Sequence, residues 1–502
     1  SGVLSSDKGK NILLLATARD GYERDLERFI LSQTRQKLLE RIELRRFTQE
    51  ESMEFIEQAL PDREPDEATK VTICKESEGI ALFLNEYVNV YRQRGSLDDL
   101  TTTIKDILDT RLVDLADQDR KLLEIAAVFF DEVTADMLQT LSGRNSHAVL
   151  DSLERLKHKL LLREVERGGV SAWVFTQQKI REYVYQRQSL TKRRMLHNNI
   201  ALILENTLTG DDRDSSVYPQ LIHHFTQGGN AIGGIRYSIM HVKRYLDFSD
   251  ELFPEWRSGR GPLNRIGKQQ AEEWLARIEK SLESLPEETA RTPKVEELRM
   301  IFLYLKGRYL IREGDYEAGT ILIEKMLAIA LRLGNADYVI QGHKELIYHA
   351  IRIHDLTRMS QCIETALTEA RKQQNPKEVG VLLRLKGLMK ILGGFLPEAE
   401  EFLDQATQIF QSIDNEDLRY ALNIAACYCY QGDIFRNRRQ YDKALDFYRQ
   451  SIALSESAWG TQSLAIFHSG AGQAAFQLQK WEEAWSHLDK AICIYDLLDS
   501  GW

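Results

Sequence analysis

The side chains that most often do chemistry are sparse and scattered in this 502-residue chain. His223 and His224 are adjacent, so on a helix they point apart, and no third ligand follows at metal-site spacing. His343, His349 and His354 form no better set. None of the five cysteines belongs to a Cys-x-x-Cys pair, and Cys427 and Cys429 would face differently on a helix. They read as reduced, buried thiols, and the expected location is cytoplasmic. No spacing argues for a Ser–His–Asp or Cys–His arrangement. The phosphate-cradling pattern G-x-x-x-x-G-K-[ST] is also missing. "GRGPLN" and "GGNAIGG" lack its lysine and its preceding strand. No apolar strand ends in paired acids that could hold Mg²⁺. The expectation is a chain that is not an enzyme, with no catalytic residue, no metal and no cofactor of its own.

Composition supports a globular, helix-rich binding protein. Hydrophobic residues make up 43% and charged residues 28%, enough to build a core and a solvated surface. A net charge of −10 argues against binding polyanions through the whole surface. No apolar run is long enough to span a bilayer, so no membrane partner is expected. Only nine prolines interrupt the chain, in line with long helices.

The elements that would position any binding residue show themselves as a repeat. Gly307, Ile347, Gly387, Gly432 and Gly472 form a column spaced by 40, 40, 45 and 40 residues. Twelve positions on lies a second column: Gly319, Met359, Ala399, Ala444 and Ala484. Seven further on is a third: Met326, Ala366, Ala406, Ser451 and Ala491. A bulky residue precedes the second column by three: Tyr316, Leu356, Leu396, Tyr441 and Trp481. Such self-similarity marks a solenoid of helix pairs. Small residues would let the two helices of a pair approach, the bulky residue would fill the turn, and each pair would bury its apolar face on the next.

"GDYEAGTILIEKML" (314–327) and "RQYDKALDFYRQSIAL" (439–454) resemble the second helix of the tetratricopeptide repeat. The period is longer than usual for that family, which predicts longer helices or loops. The resemblance implies a right-handed α-solenoid whose first helices line a concave groove. Transferred onto this chain, groove-facing residues are Tyr304, Arg308, Ile311 and Arg312; Lys344, Tyr348, Ile351 and Arg352; and Arg384, Leu388, Ile391 and Leu392. The fourth and fifth units add Arg436, together with Asp433, Ser469 and Gln473. Five cations and two tyrosines would converge in the first three units. Arg forks pair with anions and tyrosines pack on apolar parts, so the implied partner is a protein or a small acidic ligand.

Upstream, 11–16 (NILLLA) reads as a buried strand. A capping box is expected at Thr48-Gln49-Glu50-Glu51. Helices are expected at 48–60 and 67–94. Three more follow at 116–129, 134–141 and 146–157, then a hairpin of 161–166 and 171–175 turned at Gly168-Gly169. Helices at 190–207, 218–225, 234–245 and 269–285 complete this half, with 248–267 as a loop. Lys157, Lys159 and Arg163 near the hairpin could touch phosphate.

"LLLATARD", "IELRRFTQEESMEFI", "SEGIALFLNEYV", "LLEIAAVFFDEVTADMLQTL" and "VFTQQKIREYVYQRQSLTKRRMLHNNIALILE" together resemble the tail of a STAND-type (AAA-like) signalling ATPase. This class includes bacterial transcriptional regulators with C-terminal repeats. The resemblance implies five regions: a C-terminal remnant of an ATPase core (1–45), a helical lid (46–112), a winged helix (113–190), a helical linker with a degenerate repeat (191–296) and the repeat array (297–502). Thr17 and Arg19 match the family's Thr-x-Arg motif, whose Arg senses the γ-phosphate. Gly79 matches the glycine of its Gly-x-Pro motif, where Ala81 replaces the proline. Gln177 stands where the family places a nucleotide-contacting histidine. The phosphate loop would lie upstream of Asn11, so the chain is expected to be N-terminally truncated. ATP or ADP with Mg²⁺ would then belong to the full-length parent, and DNA would be bound only through a missing domain. The implied function is the regulatory and sensor portion of a transcriptional regulator. The alternatives are the same module on a cyclase or kinase output, or a free-standing repeat scaffold. Self-association is a further expectation.

Overall fold

The computed structural model describes residues 44–61, 65–94, 108–109, 112–246 apart from 168, 268–413, 419–457 and 461–497, with a few isolated positions before 44. The strand expected at 11–16, Thr17, Arg19 and the loop expected at 248–267 lie outside the described residues. The chain divides into two compact units, 1–203 and 204–502. It is mostly α-helical, and no described helix is long and apolar enough to cross a membrane.

In the first unit, α1 (Gln49–Ala59) opens on the expected capping box: Thr48 accepts from the Glu51 amide, and Glu51 accepts from the Thr48 amide. The helix expected over 67–94 is instead two, α2 (Glu67–Ser77) and α3 (Ala81–Arg94). The break is at Glu78 and Gly79, whose φ angles are 52° and 67°. A Cβ at Gly79 would lie 2.1 Å from the Phe47 carbonyl oxygen, so only glycine fits.

Next come α4 (Asp117–Ala126), α5 (Ala135–Ser142) and α6 (Ser146–His158), which pack on one another. Buried Asp119 holds Arg155 through two hydrogen bonds of 2.8 and 2.9 Å, tying α4 to α6. β1 (Leu162–Arg167) and β2 (Val170–Phe175) pair antiparallel from Leu162↔Phe175 to Arg167↔Val170. The pairing closes at Arg167↔Val170, where the paired glycines predict a two-residue turn, and Gly169 has φ 79°. Helices α7 (Gln178–Arg187) and α8 (Leu190–Glu205) follow.

The second unit starts with α9 (Tyr218–Gln227) and α10 (Ala231–Leu246), a packed pair in which Phe225 stacks on Tyr237 over Gly233. Helix α11 (Lys268–Glu283) and the single turn α12 (Glu287–Ala290) lead to five helix pairs. These are α13 (Pro293–Arg312) with α14 (Tyr316–Leu333), α15 (Ala336–Arg352) with α16 (Leu356–Lys372), α17 (Pro376–Leu392) with α18 (Leu396–Ile413), α19 (Ala421–Asn437) with α20 (Tyr441–Ser457), and α21 (Thr461–Gln477) with α22 (Trp481–Leu497). The array is a solenoid of tetratricopeptide-like repeats. Its long period comes from long helices, 17 to 20 residues each, joined within a pair by three-residue turns. The extra residues of the wider 45-residue spacing between Gly387 and Gly432 fall after Ile413, the end of α18, and before Ala421, the start of α19.

The three small columns are the seams of the pairs. A Cβ on Gly307 would come within 3.1 Å of the Gly319 oxygen, and one on Gly387 within 2.7 Å of Leu403. Met359, Ala399, Ala444, Ala366 and Ala406 are fully buried. The bulky column behaves differently from expectation. Tyr316, Leu356, Leu396 and Tyr441 begin their second helices half-buried, and Trp481 is exposed. The turns need no filler because each closes on itself. The amide that starts the second helix bonds back to the first: Asp315 to Leu310, Asp355 to Ala350, Phe395 to Lys390, Gln440 to Phe435 and Lys480 to Ala475.

Candidate functional site

Where buried polar groups sit distinguishes the two helices of a pair. Among the described residues of the array, every buried charged, amide or imidazole side chain lies on a first helix. These are Lys344 on α15, Glu378 and Arg384 on α17, Asn423 and Gln431 on α19, and His468 on α21. The second helices bury only hydroxyls, from Thr320, Thr407, Ser451 and Ser455. First helices also pack directly on one another, α17 on α19 and α19 on α21.

The charges on this face are joined from pair to pair. Lys344 Nζ lies 3.2 Å from Glu378 Oε2, with side chains only 2% and 6% exposed. Arg308 Nε lies 2.8 Å from Glu345 and the guanidinium covers the Tyr304 ring, which meets Tyr338 edge-on at 5.5 Å. Helix α13 is thus tied to α15, and α15 to α17. Arg384 is buried beside Cys427 and Tyr430 and favours ionisation of both. Burial nonetheless dominates, pushing the Cys427 thiol up to about 11 and the Tyr430 phenol higher still. Gln431 donates to Asp404 at 2.5 Å, and burial raises the Asp404 carboxyl. Tyr448 and Arg436 both donate to Asp433, at 2.7 and 2.9 Å, and Arg436 also reaches Gln473 on α21.

The structure therefore gathers Tyr304, Arg308, Lys344, Arg384 and Arg436 on the first-helix face, with Tyr348 half-buried on the same helix as Lys344. It does not make that face uniformly basic: Glu345 and Glu378 neutralise Arg308 and Lys344. The periodic rule sampled four positions per helix, and both glutamates fall outside them. Arg312 and Arg352 sit at exposed helix ends with local partners, Arg312 beside Glu313 and Arg352 over the Tyr316 ring.

In the first unit, the segments carrying Gly79 and Gln177 come together. Arg46 donates to the Thr176 carbonyl at 2.7 Å and pairs with Glu78 at 3.2 Å. Glu78 also accepts from the Lys179 amide at 3.0 Å, and Lys179 Nζ pairs with Glu76. Gly79 itself is pressed against Phe47. Among the described residues, the polar groups of this junction bond to each other. The family resemblance pointed to Gly79 and Gln177 but not to Arg46, Glu78 and Lys179. Beside the hairpin, Lys157 pairs with Glu164 and covers Trp173, and Lys159 donates to the Asp114 carbonyl at 2.6 Å.

No protein-family model matches the chain, and no curated protein matches it. Solved structures do. One is a Signal Transduction ATPase with Numerous Domains (STAND) protein with a tetratricopeptide repeat sensor from Pyrococcus horikoshii. It is 13% identical with TM-score 0.41, over 91% of this chain and 70% of that one. Another is the apo form of the quorum sensor NprR from B. thuringiensis, 14% identical with TM-score 0.42, over 60% and 75% of the two chains. A third is a Rap protein complexed with competence and sporulation factor, 13% identical with TM-score 0.40, over 61% and 72%.

Proposed function

We propose that the repeat array is a receiving module that binds a peptide or protein segment along its first-helix face. One observation carries this reading: the array's buried charges and amides lie on first helices, and the Lys344–Glu378 and Arg308–Glu345 pairs join first helices of successive pairs. Burying charge costs stability that an apolar residue of similar volume would not, and a plain scaffold gains nothing by placing all of it on one side. A binding face does gain, because carboxylates, cations and amides already ordered in the free protein lose little on meeting a ligand. Lys344 and Glu378 pair in the absence of ligand, and Arg308 pairs with Glu345. An extended acidic peptide would exchange Glu345 for its own carboxylates at Arg308 and lay apolar side chains on Tyr304 and Tyr348.

Residues 46–190 fit the lid and winged helix of a STAND-type regulator. Three packed helices and a hairpin follow α1 to α3, and Arg46, Glu78 and Lys179 knit the junction. With Lys157 and Lys159 engaged within the module, it serves as a regulatory joint and not as a DNA reader. The array would thus be the sensor of a transcriptional regulator, and this chain would turn over no ATP. Hydrolysis above a heat-killed control, abolished by Arg19→Ala, would contradict the second point.

The binding reading is tested with an array of random acidic and basic peptides probed by the wild-type chain and by an Arg308→Ala/Arg384→Ala variant of equal helical content. Enrichment of acidic peptides by the wild type, lost in the variant, supports it. Equal enrichment by both proteins refutes it.

A further inference from the structure

Where one helix pair packs on the next, two junctions of the array carry the same three kinds of side chain. An acid on the preceding second helix meets a donor on the next first helix, and a ring stands on the next second helix. Between the second and third pairs these are Glu364, Lys386 and Phe402: Lys386 Nζ lies 2.6 Å from Glu364 and 4.5 Å from the centre of the Phe402 ring. Between the third and fourth pairs the same register gives Asp404, Gln431 and Phe447, and Gln431 donates to Asp404 at 2.5 Å. Between the first and second pairs it gives Glu324, Leu346 and Cys362. The acid is kept, while a leucine replaces the donor and a small thiol replaces the ring.

A cavity of about 560 Å³ opens at this first junction. Glu324, Leu346 and Cys362 all line it, together with His343, Asp355 and Arg358. Arg358 reaches Glu324 from α16 at 2.6 Å, with side chains 30% and 55% exposed, so this pair is free to rearrange. Asp355 is fixed, because its carboxylate caps α16 by accepting from the Arg358 amide at 2.9 Å. The inner wall is uncharged. Leu346 and Cys362 are buried, and burial raises the Cys362 thiol and lowers the His343 imidazole, keeping both neutral.

A ligand that completes this junction brings what the next one has: a ring for the Phe402 position and an ammonium for the Lys386 position, beside the Glu324 carboxylate. An amine alone would take Glu324 and strand the Arg358 guanidinium. An acid alone would take Arg358 and strand Glu324. A molecule with both charges on adjacent atoms replaces one ion pair by two and leaves the net charge unchanged. We propose that the cavity between the first and second helix pairs binds a free aromatic α-amino acid, its ring against Leu346 and Cys362, its ammonium on Glu324 and its carboxylate on Arg358. The volume is that of a small-molecule site. None of Tyr304, Arg308 and Tyr348 lines it, so the site stands or falls without the peptide face.

The test is isothermal titration calorimetry of the full chain with phenylalanine, phenethylamine, hydrocinnamate and alanine. Phenylalanine should bind saturably. Phenethylamine and hydrocinnamate, each short of one charge-assisted contact, should bind about tenfold more weakly or worse. Alanine, without the ring, should give no measurable heat. Leu346→Lys/Cys362→Phe, which installs the side chains of the next junction, should keep wild-type helical content and lose phenylalanine binding. Glu324→Gln changes a half-exposed side chain and decides the matter if the double variant does not fold: it should erase the advantage of phenylalanine over hydrocinnamate. Three results would overturn the proposal: no saturable binding of phenylalanine, binding of alanine or either single-charge analogue as tight as that of phenylalanine, or affinity unchanged in the variants.

Discussion

The two sides of each helix pair solve different problems with the same backbone. The seam between first and second helix is built on recurring small and apolar columns, with backbone nearly touching backbone at Gly307 and Gly319 and local polar contacts at Asp433–Tyr448 and His468–His487. The first-helix face is polar, varied and bonded from pair to pair, through Arg308–Glu345, Lys344–Glu378 and Arg436–Gln473. A seam must be the same in every unit for the units to stack. A face that recognises one ligand must differ from unit to unit. Regularity on one side and individuality on the other separate what builds the array from what it is for.

Breaking the buried pair should have the largest effect. Lys344→Ala leaves the Glu378 carboxylate buried and should cost about 3 kcal/mol, near the low end for such breaks because Lys377 remains 3.6 Å from the same carboxylate. Lys344→Met/Glu378→Leu should restore or exceed wild-type stability, since apolar replacement of a buried pair is often neutral or better. Urea denaturation of the three proteins decides it. If the double variant is as unstable as the single, the pair is part of the scaffold and the contrast between the two sides fails.

Overpacking the seam comes next. Ala444 is fully buried between α19 and α20, and Ala444→Leu should cost about 1–3 kcal/mol. Urea denaturation should show the loss, and the peptide array should show that this variant, once folded, keeps its peptide binding unchanged.

The smallest effect is a pH dependence. His468 Nδ1 lies 2.8 Å from His487 Nδ1, with Lys490 nearby and Glu483 facing His487. Burial and then His487 lower His468 to about 4 from an ordinary 6.5. Between those values the unfolded chain binds a proton that the folded chain does not. Stability is therefore intact above the upper value and falls as pH drops toward the lower. One such histidine contributes at most about 1.4 kcal/mol per pH unit. Melting curves from pH 7 to 5 should show the loss, and His468→Gln should flatten it. An unchanged slope would mean that other groups carry it.

The seam was legible in the sequence because periodicity is local. Gly307, Ala399 and Ala444 recur at fixed spacing, and their burial follows from that spacing alone. The capping box at Thr48 and the hairpin turn before Val170 were legible for the same reason. The polar face was read only halfway. Helical geometry placed Arg308 and Lys344 on it, but their partners come from neighbouring pairs, and no rule within one helix reveals that Glu378 of α17 reaches Lys344 of α15. The break at Gly79 was missed because its cause, the Phe47 carbonyl, lies 32 residues away in sequence.

The measurement closest to the central claim is site-directed photo-crosslinking of an acidic peptide recovered on the random array. A benzophenone side chain is placed at Tyr348, on the first-helix face, and in a second protein at exposed Ile321 of α14. The account predicts a covalent adduct from position 348, competed by unlabelled peptide and weakened by Arg308→Ala, with none from position 321. Crosslinking at 321 with none at 348 would contradict it and place recognition on the second helices.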